Sequence, residues 1–385
     1  MVYYGGMITR EIANKLVAVS DSYPVLSVTG PRQSGKTTLV KNLFSDFLYA
    51  NLEAPDARKF ALDDPRIFLN QAKHMIIDEV QHVPDLLSYI QGFVDEDKSR
   101  KFVITGSQNL LISAKTSQSL AGRVFIANLF PLSLSELTTA NIVENDLVTQ
   151  LFKGFYPKIY DGSTEPSAWY NNYIQTYLER DVRNIKSVEN LTTFQKFLGL
   201  LAGRTAQILN LTSLASDVGT SVPTIKSWLS ILEASYIIKL LPSYHTNWNK
   251  RMIKAPKIHF LDTGLICALL GINKSTELAR HPLIGSIFES YVFSEYVKKK
   301  ANLKLAANMY FWKDKSNKEV DILLEEGTVT EAIEVKYGQT ISQDYFTNLE
   351  NYRTLSKTPV KTTVVYGGQG IQQRGNSMVH GWREI

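Results

Sequence analysis

Gly30-Pro31-Arg32-Gln33-Ser34-Gly35-Lys36-Thr37 fits the pattern G-x-x-x-x-G-K-[ST] without a mismatch. The apolar run Val25-Leu26-Ser27-Val28 precedes it, and Thr38 to Phe44 follows with a helical pattern. Strand, glycine loop and helix in this order build a cradle for a phosphate chain. The glycines let backbone N–H groups curl toward one centre, and the helix N-terminus adds partial positive charge. The expected phosphate contacts are Gly30, Pro31, Arg32, Gln33, Ser34, Gly35, Lys36, Thr37 and Thr38. Lys36 is expected to reach the β- and γ-phosphates, and the Thr37 hydroxyl to hold Mg²⁺.

Further along, His74-Met75-Ile76-Ile77 runs straight into Asp78-Glu79. A buried parallel strand presents its last residues at the sheet edge where α/β folds place ligands. Asp78 is expected to serve Mg²⁺, and Glu79 to polarise the water that attacks the γ-phosphate. Lys101 to Ser107 reads as a strand lying between the phosphate-loop strand and the Asp-Glu strand. Its exit offers Thr105, Ser107 or Asn109 to the γ-phosphate or the water; an ordinary strand-to-turn exit is the other reading. Arg123 precedes a last strand. Its candidate roles are stabilising transition-state charge, in cis or across a subunit boundary, or forming a structural salt bridge.

The strings GPRQSGKTTL, MIIDEVQ, ITGSQNLLI, LAGRV and FPLSLSEL, in this order, resemble the AAA-type ATPases of bacteria and archaea that carry a C-terminal domain of unknown function. The resemblance runs over essentially the whole chain. It implies an additional-strand P-loop fold, ATP rather than GTP, and a tendency to form homo-oligomers. The chain has no N-K-x-D guanine-reading motif, which agrees.

The expected organisation is α/β. Residues 1–136 form the P-loop core, 137–200 a helical region, 201–262 a winged-helix region, and 263–385 a restriction-endonuclease-like α/β domain. In the helical region, Trp169, Tyr170, Tyr173 and Tyr177 have the spacing of core residues. Glu179, Arg180 and Asp181 follow as lid or contact candidates. Leu214, Ala215 and Val218 mark a short helix that ends at Gly219. Ser221 and Pro223 start a second helix, with Ile225, Trp228, Leu229 and Leu232 inward. Helix, glycine turn and longer helix is the helix-turn-helix pattern. Tyr236 to Leu241 and Lys257 to Leu261 are the expected strands of a wing. No acid stands between Glu233 and Asp262, whereas Lys239, Lys250, Arg251, Lys254 and Lys257 do. A basic wing is an electrostatic footprint for DNA phosphates, with Lys226, Lys250, Arg251 and Lys254 as the expected contacts. The second helix carries one base, Lys226, and lacks side chains that read base edges. Sequence-independent DNA contact and protein docking therefore both remain open.

In the last domain, Asp321, twelve residues, then Glu334-x-Lys336 has the D…E-x-K spacing of restriction-endonuclease-like nucleases. Glu334 and Lys336, two apart on a strand, share a face. Asp321 on a neighbouring strand is expected to meet Glu334 around Mg²⁺, with Lys336 on the attacking water and Glu289 as a helix acid. The alternative is the fold without the chemistry.

With 385 residues, 44% of them hydrophobic and 21% charged, the chain has the composition of a globular multidomain protein. The formal net charge of +5 permits a polyanionic partner without demanding one. The single cysteine, Cys267, excludes an intramolecular disulfide and suits a reducing cytosol. Met1 to Gly6 lacks the layout of a signal peptide, and no apolar run approaches a membrane span. The expected function is a cytoplasmic, Mg²⁺-dependent ATPase controlling a DNA-binding, potentially DNA-cleaving, module. The alternative is a nucleotide-switched adaptor that binds protein. A small-molecule kinase is disfavoured, because no acceptor site is visible.

Overall fold

A computed structural model describes residues 8–107, 120–178, 191–245, 255–303, 305 and 308–385. Helix α1 (Ile12–Ser20) leads into β1 (Val25–Thr29), the phosphate loop and α2 (Lys36–Leu43). Then come β2 (Leu48–Asn51), α3 (Pro55–Asp63), α4 (Pro65–Asn70) and β3 (His74–Asp78). Helix α5 (Leu86–Glu96), β4 (Lys101–Gly106) and β5 (Val124–Asn128) complete the unit. The sheet order is β2-β3-β4-β1-β5, all parallel, so β4 does lie between β1 and β3. The strands are apolar on both faces because both faces are covered. Val25, Met75, Ile77 and Phe102 pack against α4 and α5; Leu26, Val28, Ile76 and Val103 pack against α1 and α2.

Beyond β5 the chain is helical: α6 (Leu134–Thr139), α7 (Leu147–Lys153), α8 (Pro166–Tyr173) and α9 (Leu191–Ala202). Trp169 and Tyr173 stack 5.2 Å apart and both pack on Tyr156, so Trp169, Tyr170 and Tyr173 belong to the core. A two-residue strand, β6 (Gln207–Ile208), precedes α10 (Leu211–Val218) and α11 (Val222–Ala234). Gly219 closes α10 at φ 85°, a left-handed turn that favours glycine, and the Ser221 hydroxyl accepts from Thr224 N–H at 3.2 Å. Strands β7 (Ile238–Leu241) and β8 (Lys257–Phe260) then form an antiparallel sheet with β6, β8 in the centre.

Helix α12 (Thr263–Leu269) packs on α7, α8 and α9. Asp262 caps it and also accepts from Phe155 N–H at 2.8 Å. The boundary expected between residues 262 and 263 therefore falls inside a continuous core, since one apolar cluster extends from Phe130 to Trp382. After a short helix, α13 (Ser275–Leu278), the long helix α14 (Ile284–Leu303) is buried on nearly every side. It packs on a sheet of β9 (Met309–Lys313), β10 (Glu319–Glu326), β11 (Val329–Lys336), β12 (Val360–Tyr366), β13 (Ile371–Arg374) and β14 (Ser377–Gly381). The order is β13-β14-β12-β11-β10-β9; β11, β12 and β14 run parallel and the other pairings are antiparallel. Helix α15 (Thr347–Leu355) covers the second face through Leu349 and Tyr352. Ser243, just after β7, bridges to Phe311 of β9, which ties the small sheet to the edge of the large one.

Candidate nucleotide site and a second acid cluster

The loop from Gly30 to Gly35 wraps the C-terminal end of β1. A Cβ on Gly30 would lie 2.0 Å from Leu129 O, so only glycine lets the two backbones meet there. Gly35, at φ 92°, makes the left-handed turn into α2. Lys36 is buried and its ammonium donates to Gly30 O at 3.0 Å and Pro31 O at 2.9 Å. The Ser34 hydroxyl is buried without a partner.

Across the loop, Asp78 is only 3% exposed and collects hydroxyl donors. Thr37 donates to its Oδ2 at 2.8 Å, Tyr49 donates to the same oxygen at 2.8 Å, and Thr105 donates to Oδ1. The Tyr49 phenol is pushed well above its ordinary range by burial and by this carboxylate. Glu79 takes a left-handed φ of 55° at the strand exit, and its N–H donates to Thr105 Oγ1 at 3.3 Å. Its carboxylate accepts from Gln81 Nε2 and lies 3.5 Å from Ser107 Oγ. Lys36, Thr37, Asp78, Glu79, Thr105 and Ser107 thus meet at one end of the sheet. These residues fit Mg-nucleotide: Lys36 and the loop N–H groups suit phosphate, and Thr37 with Asp78 suits the cation.

Arg123 does not join them. Val124 pairs with Val25, at the far end of β1 from Gly30, roughly 16 Å away at about 3.3 Å per residue. Its guanidinium forks onto Asp95 at 2.7 and 2.8 Å and bonds Ala121 O at 3.0 Å. Among the roles weighed for Arg123, this placement corresponds to the structural salt bridge. Asn109 lies outside the described residues.

Three features of the site carry no motif. Arg10 is buried and bonds Ser34 O at 2.7 Å, Phe130 O at 2.6 Å and Glu136 Oε1 at 3.0 Å, pinning the loop from behind. A cleft of about 390 Å³ beside Gly35 and Thr38 has apolar walls from Ile8, Ala13, Leu39 and Pro157. Tyr236, at the corner between α11 and β7, adopts φ 59° and places its hydroxyl 2.8 Å from Thr29 Oγ1 and 3.3 Å from Asn128 Oδ1. Thr29 is the residue before Gly30. These features were illegible because each depends on residues more than 100 positions apart or on a backbone corner.

At the C-terminal sheet, the expected acids do converge. On β10, Asp321 and Ile322 together stand opposite Phe311, a bulge between the pairs Val320–Trp312 and Leu323–Tyr310. A bulge re-aims a side chain, here Asp321. Its Oδ2 accepts from Val335 N–H at 2.9 Å. Glu334 Oε1 pairs with Lys336 at 2.7 Å, while Glu334 Oε2 is buried without a partner. The surprise is Lys257, from β8. Its side chain is 3% exposed, 2.9 Å from Glu289 Oε1, in contact with Glu319 Oε1, and 3.5 Å from Asp321 Oδ1. Burial alone would lower the Lys257 pKa; the carboxylates of Glu289, Asp321 and Glu319 outweigh it and hold the ammonium above its usual range. Burial and the Asp321 charge raise both Glu289 and Glu334, against their lysines.

This arrangement corrects two expectations. Lys257 is not part of an exposed basic wing. The acids also do not fit a divalent cation as they stand, since Asp321 Oδ2 is engaged by an amide, Glu289 by Lys257 and Glu334 by Lys336. Among the described residues, no group of three or more His, Cys, Asp or Glu is arranged to hold a metal. Of the expected DNA contacts, Lys226 is exposed on α11; Lys250, Arg251 and Lys254, like Glu179, Arg180 and Asp181, lie outside the described residues. No described helix is long and apolar enough to cross a membrane.

Comparison with known proteins adds the following. Residues 22–138 match the AAA domain family, and residues 144–276 and 284–384 each match a domain of unknown function, DUF8612 and DUF4143. An uncharacterized protein of Mycobacterium tuberculosis is 29% identical over 340 residues, covering 86% of this chain and 75% of the relative. An uncharacterized protein of Methanocaldococcus jannaschii is 24% identical over 363 residues, covering 86% and 78%. Among solved structures, a Walker-type ATPase of Pyrococcus abyssi is 16% identical with a TM-score of 0.47, covering 68% of this chain and 96% of that one. Residues 22–138 are thus similar to the AAA domain family, and the phosphate loop and the Asp78 strand lie within that stretch.

Proposed function

We propose that this protein is an Mg²⁺-dependent ATPase whose nucleotide site controls a nucleic-acid-binding middle region. The observation that carries the reading is the meeting of Lys36, Thr37, Asp78 and Glu79 at the mouth of the phosphate loop, with Thr37 bonded to Asp78 at 2.8 Å. Bound Mg²⁺ would neutralise phosphate charge. Lys36 would leave the loop carbonyls for the phosphates, Thr37 and Asp78 would hold the cation, and Glu79 would orient a water and take its proton. The apolar cleft beside Thr38 suits a flat base such as adenine.

Control of the middle region rests on Tyr236. Its hydroxyl ties the α11–β7 corner to Thr29, so any movement of the loop root on nucleotide binding is felt by α11. The order α9, β6, α10, α11, β7, β8 is that of a winged helix, the reading we adopt for this region. On the outer face of α11, Lys226, Ser221 and Ser230 are exposed. That face suits sequence-independent phosphate contact better than base reading. Its low charge also leaves the adaptor reading in play, in which the same face docks a protein.

Glu79→Gln should bind Mg-ATP with near wild-type affinity and lose turnover by about 10²-fold or more, the range for a positioned base. Nucleotide calorimetry and phosphate release, each with and without single- and double-stranded DNA, test both halves. Unchanged turnover in Glu79→Gln would remove Glu79 from the mechanism. DNA that binds with no salt dependence, or not at all, would favour the adaptor.

A further inference from the structure

We propose that Lys257 is the resident cation of the C-terminal acid cluster, and that a divalent metal enters this cluster only by displacing it. The proposal concerns the C-terminal module alone and stands whether or not the phosphate loop hydrolyses ATP.

Four carboxylates converge on a small volume between α14, β10 and β11. Their side-chain exposures are 15% for Glu289, 23% for Glu319, 12% for Asp321 and 4% for Glu334. Acids this close and this dry repel unless a positive charge stands among them. Lys257 supplies it, touching three of the four. The fourth, Glu334, has Lys336 on one oxygen and nothing on the other. That buried, partnerless oxygen is an acceptor of the cluster still open to a cation. A metal bridging Glu334 and Asp321 would sit against the Lys257 ammonium, like charge on like charge at low dielectric. The ammonium and the metal therefore compete for one field.

The lysine is held by more than charge. Its ammonium also lies over the face of Phe311, 5.7 Å from the ring centre. Two residues along the same face of β8, His259 stacks on Phe293 at 4.3 Å and meets Ser290 Oγ at 3.1 Å. Lys257 and His259 thus key one strand of the middle region into α14. Displacing the ammonium loosens that key, so metal entry and the docking of the middle region oppose each other. The C-terminal module is closed to metal while β8 is seated.

The test measures Mn²⁺ binding to the full chain without nucleotide, by the loss of the free-ion electron paramagnetic resonance signal. Lys257→Met should bind Mn²⁺ at least tenfold more tightly than wild type, and the gain should vanish in Lys257→Met/Asp321→Asn. Glu319→Gln guards against a poorly folded Lys257 variant and separates competition from simple acidity. It removes a negative charge, which by itself weakens cation binding, yet it frees Lys257 from one of its three anchors. Tighter Mn²⁺ binding by Glu319→Gln than by wild type supports displacement. Equal or weaker binding by Glu319→Gln, a Lys257→Met affinity equal to wild type, a gain that survives Asp321→Asn, or no Mn²⁺ binding by any variant would each overturn it.

Discussion

Lys36 and Lys257 are both buried lysines at sites that carry acids, and their described contacts differ in kind. Lys36 rests on two neutral carbonyls of its own loop, at 3.0 and 2.9 Å. Lys257 is gripped by three carboxylates from two elements, Glu289 of α14 and Glu319 and Asp321 of β10. A neutral carbonyl is a weak competitor for an ammonium, so an arriving phosphate chain can take Lys36 over. Three anions are a strong competitor, so Lys257 stays. The same residue type therefore marks an open site at one end of the molecule and a filled one at the other. An acid pair with a nearby lysine does not by itself reveal which is present.

The largest test of this contrast substitutes each lysine with alanine. Lys257→Ala strands buried acids and should lower the unfolding free energy by about 3–5 kcal/mol. Lys36→Ala should cost only about 1 kcal/mol, because its loop carbonyls face an open cradle and regain water. Mg-ATP affinity should respond the other way, falling about 100-fold in Lys36→Ala, as loss of a charged contact worth about 3 kcal/mol requires. Urea unfolding and nucleotide calorimetry read both. Equal stability losses would erase the distinction between the two lysines.

A second measurement follows the filled site through pH. His259 is fully buried; desolvation, and then the Lys257 charge, hold its imidazole well below the usual range. The folded state keeps it neutral while the unfolded chain takes up a proton below about pH 6.5. Its contribution is thus present above that pH and is lost as pH falls, by up to about 1.4 kcal/mol per pH unit. Thermal midpoints of wild type and His259→Phe between pH 7.5 and pH 5.5, choices within that window, should converge at the acid end. Parallel curves would mean that the imidazole is protonated in the fold and that the Lys257 field does not reach it.

The smallest expected effect belongs to the open site. Tyr236→Phe keeps the edge-to-face contact with Phe130 at 5.6 Å and removes only the hydroxyl bonds to Thr29 and Asn128. Stability should fall by about 1 kcal/mol. The difference in DNA affinity between ATP-bound and nucleotide-free protein should shrink. A nucleotide effect of undiminished size would show that coupling does not run through this corner.

The contrast also explains which parts were readable in advance. The phosphate loop, the Asp78 strand and the inserted β4 rest on local patterns: a glycine spacing, and apolar runs ending in polar residues. The same holds for the α10–Gly219–α11 turn and for the alternation that puts Glu334 and Lys336 on one face. Arg123 stayed open between two roles because an arginine before a strand looks the same at either end of a sheet. Only the pairing of Val124 with Val25 decides which end it occupies.

By itself, then, the sequence determined the elements and the residue types at the nucleotide site, because phosphate binding needs a contiguous loop and short-range periodicity. The tertiary structure alone decided the partners. Arg10 reaches Glu136, Tyr236 reaches Thr29, and Lys257 reaches Asp321 across separations of 126, 207 and 64 residues. Lys257 shows the physical reason most clearly. Counted along the chain, it is the last base of a cationic run. Placed by β8 between α14 and β10, it becomes the counter-charge of an acid cluster. Charge compensation in a buried volume depends on which segments share that volume, and spacing along the chain carries no record of it.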